Sequence, residues 1–282
     1  MDIFVSPFID NPFMLKALAA GSLVSIACGI AGTFIILRGM AFIGDALAHG
    51  VLPGIALAVL IGFPAMLGAA LGAVFMIGGI SLITRRSRLS TDTAIGLLFI
   101  GMLSLGVIIV SRSSSFTGDL TTILFGEILG IGLSSIFVQL GASVIIAVVA
   151  IICARPFMML SFDPEQAQVA GFSTGLYHNI MLLMIAATVI VSFQTVGTLL
   201  VFGMLIAPAG AGALLARKIW VMMLLATAFG ILSTYLGLLV SYQFDLAAGA
   251  AIALVSVLIF FIVFVIKNLR GMPAAKQGLA KS

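Results

Sequence analysis

The chain has 282 residues, of which 62% are hydrophobic and only 8% charged, and its mean hydropathy is +1.34. That balance excludes an ordinary soluble domain, in which roughly a quarter of residues are charged. The formal net charge of +4 is read as the signature of basic membrane edges and not of a nucleic-acid surface, because Lys and Arg collect in cytoplasmic loops.

A helical span needs about 20 apolar residues, so the few charges mark where the chain leaves the bilayer. Taken in order, they predict nine candidate helices, near 14–37, 41–61, 64–83, 92–110, 134–154, 177–195, 197–216, 219–240 and 247–266. Eight spans also satisfy the pattern. The expected fold is an all-α polytopic membrane protein, one transmembrane domain over 1–282, with the N-terminus outside and the C-terminus cytoplasmic. That orientation puts Arg38, Arg85, Arg86, Arg88, Arg155, Arg217, Lys218, Lys267, Arg270, Lys276 and Lys281 inside, leaving only Lys16 and Arg112 outside. Residues 1–13 carry Asp2 and Asp10 and no basic n-region, so the first helix is expected to be a permanent span, not a cleaved signal.

The second span opens with the strongest functional signal in the chain. Asp45 and His49 stand four residues apart and so share one helix face. Counted at 1.5 Å per residue from the membrane-edge Arg38, the pair is expected about 10 to 17 Å deep. A carboxylate there is costly unless paired, hydrated or metal-bound, which makes intramembrane ionisable residues functional candidates. Pro53 lacks the N–H that would bond the His49 carbonyl, so a kink is expected beside the pair. Carboxylate oxygen with imidazole nitrogen suits Mn²⁺, Fe²⁺ or Zn²⁺, and the lack of thiolate argues against a soft-metal site. Two ligands are too few for a selective site, and a two-fold pair of protomers would supply four.

Further along, Gly68 and Gly72 form a GxxxG in the third candidate span, a spacing that lets helices approach closely. The apolar stretch from Leu120 to Gly132 is too short to cross and reads as a re-entrant or interfacial helix, where Glu127 could line an outer gate. Cys28 and Cys153, the two cysteines, fall in or near apolar segments and are expected to pack as small hydrophobes. The cytoplasmic loop after Arg155 then carries its own helix signature, with Asp163 as N-cap, Pro164 at the first helical position and Gly171 as the stop. A short amphipathic helix outside the membrane, over about 161–172, is the expected result, and its exposed apolar residues mark a docking surface. His178 follows it as a boundary residue. No Gly-Lys dipeptide occurs, so the chain has no Walker A loop and is not expected to hydrolyse ATP itself.

These residues resemble the permeases of bacterial zinc/manganese ABC importers. The likeness rests on Arg38-Gly39 followed by Gly44-Asp45-Ala46-Leu47-Ala48-His49 and Val51-Leu52-Pro53-Gly54. It extends through Leu124-Phe125-Gly126 with Ile128-Leu129, Val196-Gly197-Thr198-Leu199-Leu200-Val201 to Pro208-Ala209, and Asp245-Leu246 with Gly249-Ala250. Ala247 departs from the proline that many relatives carry there. The resemblance implies a multi-pass subunit of the bacterial inner membrane, no permanent cofactor, and Mn²⁺ or Zn²⁺ as cargo held by Asp45 and His49. It further implies a second permease copy, a cytoplasmic ABC ATPase dimer and an extracytoplasmic metal-binding protein as partners, with Asp163, Pro164, Glu165, Ala167 and Gly171 in a coupling helix. The rival reading is a proton-coupled secondary transporter in which Asp45 and His49 relay protons.

Overall fold

The computed structural model describes residues 7–111 and 128–269. Residues 7–10 are helical, and twelve further helices follow: α1 Pro12–Leu37, α2 Ile43–Gly50, α3 Leu52–Ile61, α4 Ala65–Arg86, α5 Thr91–Ser111, α6 Leu133–Ile152, α7 Ala154–Phe162, α8 Pro164–Val169, α9 Thr174–Val196, α10 Thr198–Leu215, α11 Ile219–Phe244 and α12 Ala248–Leu269, with a 3₁₀ turn at Ile128–Gly130. Among the described residues eight segments are long and apolar enough to cross a membrane, with α2 and α3 counting together as Ile43–Ile61, and Leu200–Leu215 of α10 forms a shorter apolar helix. The expected eight or nine spans are thus met nearly segment by segment. Glu127, Arg112 and most of the 120–132 stretch lie outside the described residues.

The centre of the bundle is α1, wrapped by α11, α10 and α6. Its inner side is built from small residues, and Ala17, Ala20, Ala27, Cys28 and Ala31 are fully buried. In lipid, where no hydrophobic drive draws helices together, such residues let backbones approach until dispersion and polar contacts hold them. A methyl group at Gly32 would run into the Leu205 carbonyl of α10, and one at Gly21 into Thr234 of α11. Buried polar side chains add interhelical bonds. Ser25 Oγ lies 3.3 Å from Thr234 Oγ1, Gln139 Nε2 of α6 donates to Ser192 Oγ of α9 at 3.4 Å, and Ser143 Oγ donates to the Leu23 carbonyl at 3.0 Å. Cys28 and Cys153 are both free and buried, as expected of packing residues.

Gly68 and Gly72 do bring helices together. Gly54 of α3 and Gly68 of α4 sit backbone to backbone, so that a methyl on either would meet the other's carbonyl, and Gly72 faces the Val51 backbone at the junction of α2 and α3. The pattern that read as helix packing therefore buttresses the broken span that carries Asp45 and His49.

Candidate intramembrane cation site

The chain enters the site through a tight reversal. Gly39 adopts φ +65°, its N–H bonds the Ile36 carbonyl at 3.2 Å, and the Met40 N–H bonds the Ile35 carbonyl at 3.1 Å. This is a Schellman end to α1, and glycine suits it because the left-handed backbone carries no Cβ penalty there. Residues 38–42 are consequently a turn, and α2 begins only at Ile43. A depth counted in helical rises from Arg38 therefore does not hold. Asp45 stands instead in the first turn of α2, where unpaired N–H groups and the positive end of the helix favour a carboxylate.

One turn later, His49 Nε2 lies 3.5 Å from Asp45 Oδ1, and the two side chains remain 24% and 39% exposed respectively. The helix then breaks. Val51 closes α2 and opens α3 at φ −82°, ψ −14°, and Pro53 occupies the first turn of α3. The interruption lies where the missing Pro53 N–H leaves the His49 carbonyl without its helical donor, and it is confined to one residue, since the Val51 N–H still bonds the Leu47 carbonyl at 3.2 Å and the Ile55 N–H the Val51 carbonyl at 3.0 Å. Phe99 of α5 packs its ring 6.0 Å from the imidazole, tilted by 59°. No sequence signal singled out Phe99, since an apolar residue in an apolar span carries no mark of its neighbour.

Among the described residues no group of three or more His, Cys, Asp or Glu gathers in one protomer. Asp45 and His49 thus stand as a pair on a partly open surface. A half-exposed carboxylate in a membrane span cannot face hydrocarbon without a large cost, so its open side calls for water, a cation or another protein face.

The cytoplasmic elements follow the capping chemistry. Asp163 Oδ1 accepts from the Glu165 and Gln166 N–H groups, both at 3.0 Å, Pro164 starts α8, and Gly171 ends it at φ +83°. The helix is shorter than the expected 161–172 because Ser161 and Phe162 belong to α7 and the extended Asp163 separates the two. Asp163, Glu165 and Val169 border an open groove of about 500 Å³ with Met159, Gln166 and Ala170, and Val169 is 90% exposed. Ala167 is buried, so it seats α8 on the bundle and presents no side chain outward.

His178 does more than mark a boundary. Arg38 Nη1 lies 3.1 Å from its Nδ1, joining the end of α1 to the first turns of α9, and burial lowers the Arg38 guanidinium from its ordinary value. Contact over 140 residues of chain between two basic side-chain types leaves no trace in charge patterning.

With this geometry in view, residues 10–267 match the model of a family described as the ABC 3 transport family. The chain belongs to that family. This ABC 3 permease is 37% identical over 275 residues to the manganese transport system membrane protein MntC of Listeria monocytogenes, covering 98% of both chains. It is 34% identical over 257 residues to the chelated iron transport system membrane protein YfeD of Yersinia pestis, covering 91% of this chain and 86% of that one. Among solved structures, PsaBC from Streptococcus pneumoniae in complex with Fab superposes with a TM-score of 0.81 at 34% identity, over 93% of this chain and 94% of that chain. The protein is accordingly a multi-pass permease subunit of a bacterial cytoplasmic-membrane ABC transporter, the family that its signature residues resemble. Membership of an ABC family leaves the proton-coupled carrier without support.

Proposed function

We propose that this permease imports a divalent transition-metal ion, manganese before iron or zinc, by alternating access driven by a separate ATPase. The carrying observation is the Asp45 and His49 pair, 3.5 Å apart on one face of a broken intramembrane helix and half-open on the protomer surface. Borderline oxygen and nitrogen donors suit such ions, and relatives named for manganese and chelated iron transport favour that cargo over zinc.

Two copies related by a two-fold axis would bring two carboxylates and two imidazoles to one cation and cover the open side of each half-site. Pro53 maintains the break that frees the His49 carbonyl, and Glu127 serves as an outer pathway group. The α8 helix, with Asp163, Pro164, Glu165, Ala167 and Gly171, docks a cytoplasmic ABC ATPase dimer, and an extracytoplasmic metal-binding protein delivers the ion. Binding at the Asp45 and His49 site must stay weak enough for release.

The test is ATP-dependent Mn²⁺ uptake by vesicles containing the permease with its ATPase and delivery protein. Asp45→Ala and His49→Ala should each abolish uptake while membrane insertion persists. Normal uptake by both variants would remove the basis of the proposal.

A further inference from the structure

Two structural routes meet at the cytoplasmic end of α1. The first comes from α8. The Phe172 N–H bonds the Ala167 carbonyl at 3.0 Å, Gln168 Nε2 donates to Thr174 Oγ1 at 3.2 Å, and the Phe172 and Tyr177 rings meet edge to face at 5.6 Å. Together these brace α8 against the root of α9. The next residue of that root is His178, bonded to Arg38.

The second route leaves Arg38 in the other direction. Arg38 is the C-cap of α1, and the hydrogen-bonded turn through Gly39 and Met40 delivers the chain to α2 and Asp45. One helical turn before Arg38, the fully buried Phe34 takes the Phe157 ring of α7 edge to face at 5.2 Å. The segments entering and leaving the α8 region therefore both grip α1 at consecutive turns. The Phe34 contact is apolar and tolerant of sliding. The Arg38 contact is directional, because a guanidinium can only donate, so His178 Nδ1 must be the accepting nitrogen.

We infer that the Arg38–His178 hydrogen bond is the tie through which displacement of α8 reaches the Asp45/His49 helix, with His178 a positioning residue for the transport cycle. The inference rests on the ATP-driven import reading and adds to it a specific transmission contact. Losing the tie should leave the cation ligands and the ATPase surface intact while disconnecting one from the other.

The experiment uses the assembled transporter in proteoliposomes, with Mn²⁺ moved per ATP hydrolysed as the main readout and equilibrium Mn²⁺ binding to the detergent-solubilised assembly as the second. His178→Ala should lower the transport ratio about tenfold, the scale set by loss of one hydrogen bond to a charged group, with Mn²⁺ binding and ATP hydrolysis retained. His178→Gln, whose amide oxygen can still accept from Arg38, should recover most of the ratio. Arg38→Met, which keeps an unbranched side chain and has no donor, should reproduce the drop from the donor side when read in parallel and serves where the His178→Ala assembly does not form. An unchanged ratio in His178→Ala, a His178→Gln variant no better than alanine, or a parallel fall in Mn²⁺ binding would each overturn the tie alone. Wild-type vesicles that move no Mn²⁺ with ATP would overturn the import reading and the tie with it.

Discussion

The α1–α11 pair and the α2–α3 segment are built from similar apolar residues and spend their structure differently. Both α1 and α11 run unbroken for 26 residues and meet through glycine and hydroxyl contacts at Gly21, Ser25, Gly230 and Thr234. The α2–α3 segment is shorter, is interrupted at Val51, and holds a carboxylate and an imidazole half-open to the protomer surface. The first region satisfies every local rule of helix packing in lipid. The second departs from two of them, continuity and apolarity, at the same place.

The largest effects should separate these regions cleanly. Asp45→Ala or His49→Ala abolishes Mn²⁺ uptake and leaves the thermal midpoint of the purified permease unchanged, because neither side chain is buried. Gly32→Val does the reverse. Its side chain has no room beside the Leu205 carbonyl, so it should cost at least about 1–3 kcal/mol in the manner of overpacked cores, with uptake per folded molecule preserved. Unfolding midpoints measured alongside vesicle uptake check both, and a stable Gly32→Val protein would break the comparison.

Smaller changes sharpen it. Pro53→Ala restores a donor for the His49 carbonyl and lets α2 and α3 fuse, so uptake should fall while stability rises. Hydrogen exchange at residues 49–55 should show the closure as added protection. Smallest is Phe99→Leu, which removes the ring beside His49. Aromatic contacts of this kind contribute about 0.5–1.5 kcal/mol, so Mn²⁺ affinity in an equilibrium binding assay should weaken by roughly twofold to tenfold, without loss of maximal uptake.

Much of this was readable in the chain itself. Span positions follow from hydropathy alone, because the cost of putting charge or unpaired backbone into hydrocarbon is local and large. The same holds for the α8 cap, where Asp163, Pro164 and Gly171 act on neighbours within a few residues, and for the residue types and spacing of Asp45 and His49. Helical counting from Arg38 to that pair does not apply, because it assumes continuity through a turn in which the Gly39 N–H bonds the Ile36 carbonyl and the Met40 N–H the Ile35 carbonyl.

Sequence by itself determined where the long apolar helices run and which of them carry ionisable groups, since each depends on side-chain chemistry acting over one or two turns. Only the tertiary structure decided that Phe99 lies against His49, that Gly54 meets Gly68, that Ala167 faces inward, and that Arg38 bonds His178 across 140 residues of chain. Such contacts join surfaces of unrelated helices, and in a bundle of nearly uniform apolar composition many faces could pair. Close steric fit and a few directional hydrogen bonds select among them, and neither leaves a period or a charge pattern along the chain.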